Sequence, residues 1–97
     1  MNSIDIEELL HILNNKPLNI IDIRTNHEYL IDRIPTAKNI SKSILKNIPE
    51  KYLNKSEIYY IYCQSGTTSK SLVEYLNNQG YRTVNINGGY NNYLLRK

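Results

Sequence analysis

The chain has a single cysteine, Cys63, among its 97 residues. It therefore cannot form an internal disulfide, and alone it supplies neither a Cys-x-x-Cys redox pair nor a cysteine-rich zinc site. A lone cysteine suits a reducing compartment, and we expect the cytoplasm. The acidic residues Asp5, Glu7 and Glu8 also differ from the basic and then apolar start of a secretory signal.

Long hydrophobic runs are missing as well. Hydrophobic residues make up 40% of the chain, which is ordinary for a folded domain. No stretch approaches the roughly 20 consecutive apolar residues that a bilayer span requires, so we expect no membrane partner. The sequence contains no repeat and no linker, and its length allows one domain over residues 1–97.

The positive charge is not concentrated in one segment. The formal net charge is +3, and Lys42, Lys46, Lys51 and Lys55 are scattered through a polar middle stretch. No basic run alternates with aromatic residues that would stack on bases. We interpret these lysines as a solvated surface and expect no nucleic-acid partner, although the charge balance would also tolerate a small anionic substrate.

Apolar spacing predicts helices and strands that alternate along the chain. Within residues 6–13, Ile6, Leu9, Leu10 and Leu13 share one helical face. The other predicted elements are strands at 18–23, 38–40, 58–62 and 83–86, a helix at 27–31, an extended loop at 34–37, polar helical turns within 41–55, a helix from about 68 to 76 and a last helix after Gly89. This order predicts an α/β fold, a small central parallel β-sheet with helices on both faces.

The most informative segment is the predicted strand at 58–62, which leads directly into Cys63 and a small polar loop. Ligands of parallel sheets bind beyond the carboxyl ends of the strands. Gly66 permits a tight turn whose amide groups converge, and the following helix adds the partial positive charge of its N-terminus. Such a loop binds an anion and favours thiolate over thiol. The alternative is that Cys63 is only a small buried hydrophobic residue.

Several motifs together resemble the rhodanese family, and the resemblance covers nearly the whole chain. The motifs are the strand 20–23 ending in Asp22-Ile23-Arg24 before Glu28-Tyr29, the segment Ile34-Pro35 with Ala37, the loop Cys63-Gln64-Ser65-Gly66-Thr67-Thr68, and the closing turns Gly80-Tyr81 and Gly88-Gly89-Tyr90. The resemblance implies the rhodanese-like fold. It also implies a sulfurtransferase that carries sulfur as a persulfide on its loop cysteine.

By this resemblance, Cys63 is the catalytic nucleophile. It accepts a sulfane sulfur from a small sulfur-containing anion such as thiosulfate, from glutathione persulfide or from a cysteine desulfurase. The acceptor is cyanide in the test tube and a thiol or a protein in the cell. The resemblance implies neither a metal nor an organic cofactor. The residues expected to bind the substrate through the loop are Gln64, Ser65, Gly66, Thr67, Thr68 and Ser69.

The sixth loop position is Thr68, and the loop contains no arginine. Related phosphatases use a seven-residue loop ending in arginine, whose guanidinium group stabilises the charge on the transferred phosphate. The shorter loop therefore argues against a phosphatase. Single-domain rhodaneses commonly have arginine at the sixth position, so the uncharged loop predicts weak activity towards the thiosulfate dianion.

Asp22, Arg24 and Glu28 are expected to support the site. Asp22 and Arg24 lie at the carboxyl end of a neighbouring strand, so they could face the Cys63 pocket. The resemblance suggests instead that they hold the surrounding loops through hydrogen bonds and an Arg24–Glu28 pair. A second function also fits the sequence, namely a non-catalytic sulfur carrier, a redox sensor or a protein-interaction module in which Cys63 reacts once. Turnover distinguishes the two, because only a catalyst transfers many sulfur atoms per chain.

Overall fold

A computed structural model describes residues 2–97, which form a sheet of five strands covered by five α-helices. In chain order the elements are β1 (Ser3–Ile4), α1 (Ile6–Asn15), β2 (Asn19–Asp22), α2 (Asn26–Ile31), β3 (Lys38–Asn39), α3 (Lys42–Asn47), a 3₁₀ turn (Pro49–Lys51), β4 (Ile58–Tyr62), α4 (Thr67–Asn78), β5 (Arg82–Ile86) and α5 (Gly89–Leu94). The predicted α/β architecture is confirmed. Only β1 was not anticipated, because two residues are too few to show a periodic pattern.

The sheet is entirely parallel, in the order β1-β5-β4-β2-β3. Strand β4 lies at its centre, where Ile61 pairs with Ile21 on β2 and with Asn85 on β5. All strands point the same way, so the segments after β2, β4 and β5 meet at one edge of the sheet. This is the edge at which Cys63 follows β4.

Each face of the sheet has its own hydrophobic cluster. Successive strand residues point to opposite faces, so Ile61 belongs to one cluster and Tyr62 to the other. One cluster includes Leu45 of α3 and Leu72 of α4, and the other includes Leu9 of α1. Each fully buried aliphatic side chain contributes about 1.5–3 kcal/mol, so the two clusters hold the helices on both faces and keep the loop edge in place.

The segment 34–37 is a tight turn and not the predicted extended loop. The Ala37 N–H donates to the Ile34 carbonyl at 3.1 Å, and Thr36 has φ +70°. Proline at the second position and a positive φ at the third define a type II turn, in which glycine is preferred at the third position. Thr36 therefore holds a conformation that few side chains adopt.

The helices are short. The longest, α4, has 12 residues. Among residues 2–97, no helix has both the length and the apolar character needed to cross a bilayer.

Candidate active site

Cys63 lies at the base of an open cleft at the carboxyl edge of the sheet. It follows β4, and only 7% of its surface is exposed. Beside it, the cleft of about 260 Å³ is lined by Ile23, Arg24, Thr25, Glu28, Gln64, Ser65 and Thr68. Cys63 also lines this cleft, so a small molecule that enters it can reach the sulfur.

The loop after Cys63 folds back so that its amide groups point at the sulfur. Gly66 has φ +89° and immediately precedes α4. Its N–H donates to Cys63 Sγ at 3.1 Å, and the Ser69 N–H donates at 3.3 Å. The sulfur therefore sits at the N-terminus of a helix of 12 residues, where negative charge is stabilised.

The surroundings of Cys63 act on its pKa in two directions. Burial raises the pKa, because a buried thiolate loses hydration. Hydrogen bonds to the sulfur lower it and outweigh burial. The donors are the amide groups of Ser69, Gly66 and Ser65, and the Ser69 hydroxyl when its proton points at Sγ. The pKa of Cys63 therefore lies below its ordinary value, and more thiolate is present at neutral pH than in an exposed cysteine.

We expect the rate of Cys63 alkylation by iodoacetamide to rise with pH and to level off early. Only thiolate reacts, so the inflection marks the pKa, and it should lie below the value of about 8.5 for a free cysteine. The same chain unfolded in urea is the control, because unfolding removes the amide donors. An inflection in the folded chain at or above that of the unfolded chain would contradict the geometry described here.

The remaining loop residues that we predicted lie nearby but do not contact the sulfur through their side chains. Gln64 donates from Nε2 to Asn91 Oδ1 at 2.6 Å. Ser65 donates its hydroxyl proton to Thr67 at 3.3 Å, and Thr68 is exposed at the edge of the cleft. Their part in substrate binding stays a prediction.

The start of α5 closes the site from behind. The Tyr90 N–H donates to the Cys63 carbonyl at 3.0 Å. A Cβ atom at Gly89 would lie 2.2 Å from that carbonyl oxygen, and one at Gly66 would lie 2.8 Å from the Gly88 nitrogen. The two loops approach so closely that only glycine fits at these positions.

Asp22 and Arg24 form a buried ion pair next to the loop. The Arg24 guanidinium contacts both carboxylate oxygens of Asp22, at 2.7 Å for the shortest contact, and donates to the Asp32 carbonyl at 2.6 Å. The Tyr62 hydroxyl donates to Asp22 at 2.6 Å, and burial together with this contact raises the pKa of Tyr62. Arg24 also lies 4.1 Å from the ring centre of Tyr90. The ion pair thus joins β2, β4 and α5.

The expected Arg24–Glu28 pair is wrong. Within residues 2–97, Arg24 pairs with Asp22, and Glu28 accepts hydrogen bonds from the N–H and hydroxyl groups of Thr25. Arg24 precedes the helix and is not on its surface, so the four-residue spacing does not bring it onto Glu28. The sequence pattern Thr25-x-x-Glu28 is a capping box, which predicts the observed contact.

The cleft carries little free charge. Arg24 is neutralised by Asp22, and the other charged residue that lines the cleft is the acidic Glu28. In the described part of the chain, no unpaired cation lines the cleft. The amide groups favour an anion. Without a free cation, however, the cleft is poorly suited to a strongly anionic substrate.

Sequence analysis missed Asn85, which lies behind the loop with 3% of its surface exposed. It contacts both Ser69 and Gly66. The signal was its position two residues after Thr83, so that two polar side chains share one face of β5. A buried polar residue needs partners, and those of Asn85 are Gly66 and Ser69 beside Cys63.

Comparisons with known proteins identify the family of the chain. The family model described as "Rhodanese-like domain" matches residues 5–96. YtwF of Bacillus subtilis, provisionally named a sulfurtransferase, is 38% identical over 77 residues, which span 77% of this chain and 72% of that protein. The thiosulfate sulfurtransferase GlpE of Coxiella burnetii is 27% identical over 84 residues, which span 86% of this chain and 78% of that protein.

The solved structures agree as well. The crystal structure of a rhodanese-like domain protein from Staphylococcus aureus superposes with a TM-score of 0.82 and 41% identity, covering 96% of this chain and 91% of that one. A rhodanese-related protein from Thermoplasma volcanium superposes with a TM-score of 0.86 and 27% identity, covering 99% of this chain and 93% of that one. The chain belongs to the family of rhodanese-like domains.

Proposed function

We propose that this chain is a sulfurtransferase that carries sulfane sulfur on Cys63. The observation that supports it most is the pair of amide groups, from Gly66 and Ser69, that donate to Cys63 Sγ at 3.1 and 3.3 Å. They stabilise the thiolate that attacks a donor, and the open cleft admits a small molecule. The nucleophile needs a reduced cysteine, which suits a reducing compartment such as the cytoplasm.

The reaction follows a double displacement. The Cys63 thiolate attacks the outer sulfur of thiosulfate, a new S–S bond forms, and the original S–S bond breaks as sulfite leaves with its electron pair. The product is a Cys63 persulfide, whose terminal sulfur carries the negative charge. An acceptor such as cyanide then attacks that sulfur, thiocyanate departs, and the thiolate is restored. In this proposal the loop 64–69 surrounds the transferred sulfur.

Intact-protein mass spectrometry tests the proposal. Incubation with thiosulfate or with glutathione persulfide should add the mass of one sulfur atom, and cyanide should remove it while thiocyanate accumulates beyond one equivalent of protein. Prior alkylation of Cys63 is the control and should block both events. Loading of sulfur without turnover would show that the chain is a sulfur carrier or a sensor and not an enzyme. Absence of loading from both donors would refute sulfur chemistry at Cys63.

Thr68→Arg is expected to raise kcat/KM for thiosulfate by about tenfold. Thr68 is exposed at the edge of a cleft that lacks a free cation. One exposed pair of opposite unit charges gains about 0.7 kcal/mol. The thiosulfate dianion carries two charges, so it gains about twice this energy from an arginine side chain at position 68. The resulting gain of about 1.4 kcal/mol corresponds to a factor of about ten. Steady-state formation of thiocyanate at varied thiosulfate concentrations measures the change.

Thr68→Gln is the matched control, because glutamine is long and polar but uncharged. It should change kcat/KM for thiosulfate by less than about twofold, and the gain of Thr68→Arg should shrink in high salt. An equal gain from glutamine, or a gain that salt does not reduce, would show that charge is not what the loop lacks.

A further inference from the structure

Asn85 is a buried amide whose two ends are both engaged by the active-site loop. Its Nδ2 donates to the Gly66 carbonyl at 3.2 Å, and its Oδ1 accepts from the Ser69 hydroxyl at 2.5 Å. Ser69 is fully buried, and its Oγ lies 3.4 Å from Cys63 Sγ. Asn85 therefore lies one side chain away from the nucleophile, on a different strand.

The partners determine which way each group points. A carbonyl oxygen only accepts, so the donor end of the Asn85 amide must face Gly66. The acceptor end then faces Ser69, whose hydroxyl has a single proton. That proton is directed at Asn85, and Ser69 Oγ presents its lone pairs to Cys63.

This arrangement affects the two protonation states of Cys63 differently. A thiol donates its proton to Ser69 Oγ, which completes a chain from Cys63 through Ser69 to Asn85. A thiolate faces the same lone pairs and is repelled by them. If the hydroxyl turned to the thiolate, Asn85 Oδ1 would be left buried without a donor, which is costly.

We propose that Asn85 is a positioning residue that aims the Ser69 hydroxyl away from the sulfur, so that Ser69 holds the resting Cys63 thiol and only amide groups hold the thiolate. The proposal rests on the proposed function, in which Cys63 is the nucleophile. We assign the thiolate stabilisation to the amide groups of the loop, and the hydroxyl opposes it. Asn85 thus lowers the fraction of Cys63 that is present as thiolate.

The charged groups around Cys63 are the same in every variant of the test. Arg24, paired with Asp22, and Glu28 face the sulfur across the cleft. On the side of Asn85, Lys70 and Glu74 of α4 line a small hollow. No substitution below alters these charges, so a change in titration reports the direction of the hydroxyl group.

The experiment is the pH profile of Cys63 alkylation in the full chain, where Cys63 is the only cysteine. Ser69→Ala removes the acceptor of the thiol proton and should lower the pKa of Cys63 by about half a unit or more. Asn85→Leu frees the hydroxyl to turn to the thiolate and should also lower it. The exposed Ser71→Ala is the matched control and should leave it unchanged. A rise in the pKa after Ser69→Ala, or no fall after Asn85→Leu, would overturn the proposal.

The double variant separates this effect from loosening of the loop. In the Ser69→Ala background, Asn85→Leu should cause no further shift, since it acts through the Ser69 hydroxyl. A full additional shift would show that Asn85 acts on the loop as a whole and would contradict the proposal. Far-ultraviolet circular dichroism verifies that each variant is folded. Because alkylation needs no sulfur donor, the result stands even if the proposed sulfur transfer fails.

Discussion

Cys63→Ser is expected to abolish sulfur loading and to lower the transfer rate by at least about 10³-fold. A serine hydroxyl stays protonated at neutral pH and forms no persulfide, so neither half of the double displacement can occur. The fold should persist, because serine is similar in size and its oxygen can still accept from the Gly66 N–H, which donates to the sulfur at 3.1 Å. Intact mass after thiosulfate and the accumulation of thiocyanate measure the two losses.

The substitution also separates transfer at Cys63 from reactions elsewhere. Thiosulfate and cyanide react slowly without protein, so the rate of Cys63→Ser should equal the rate in buffer. Urea unfolding of the variant should remain within about 1 kcal/mol of the parent chain, which shows that lost activity is not lost structure. Substantial turnover by a folded Cys63→Ser variant would show that Cys63 is not the nucleophile.

The sequence predicted the fold well because the strands of a buried parallel sheet are continuous apolar runs. Residues 58–62 form β4 as predicted, and the polar loop that follows leads into α4 at Thr67. Parallel strands with helices between them leave few arrangements, and the carboxyl edge of the sheet follows from them. Local pattern was sufficient here because each element has its own hydrophobic face.

The contacts of the site were less predictable, because they join residues far apart in the chain. Ser69 contacts Asn85 across 16 positions, and Tyr62 contacts Asp22 across 40. Spacing along the chain indicates which residues share a face of an element, but not which face meets which neighbour. The Arg24–Glu28 expectation failed for a local reason: Asp22 lies two residues from Arg24 and pairs with it, while Glu28 caps α2 together with Thr25.

Asp22→Asn is expected to lower the free energy of unfolding by about 3–5 kcal/mol. Asp22 is fully buried, and Arg24 is 7% exposed. Removing the carboxylate charge leaves a buried guanidinium without a counter-ion, although the side chain keeps its size. Since folded domains are stable by only about 5–15 kcal/mol, the urea midpoint should fall sharply.

Glu7→Gln is the control for this prediction, because Glu7 pairs with Arg96 where both side chains are about half exposed, at 54% and 52%. It should cost no more than about 1 kcal/mol. Adding Arg24→Met to Asp22→Asn should recover part of the loss, since the uncompensated charge is then gone. Equal costs for Asp22→Asn and Glu7→Gln would show that the buried pair does not stabilise the fold.

Asp22→Asn should affect the active site as well as the stability of the fold. Arg24 lies 4.1 Å from the Tyr90 ring centre, and the Tyr90 N–H holds the Cys63 carbonyl at 3.0 Å. Loss of Asp22 releases Arg24, and with it the support of the segment that fixes the base of the loop. Asp22→Asn should therefore slow sulfur loading even at temperatures where it is fully folded, whereas Glu7→Gln should not. An unchanged loading rate in folded Asp22→Asn would confine the ion pair to a role in stability.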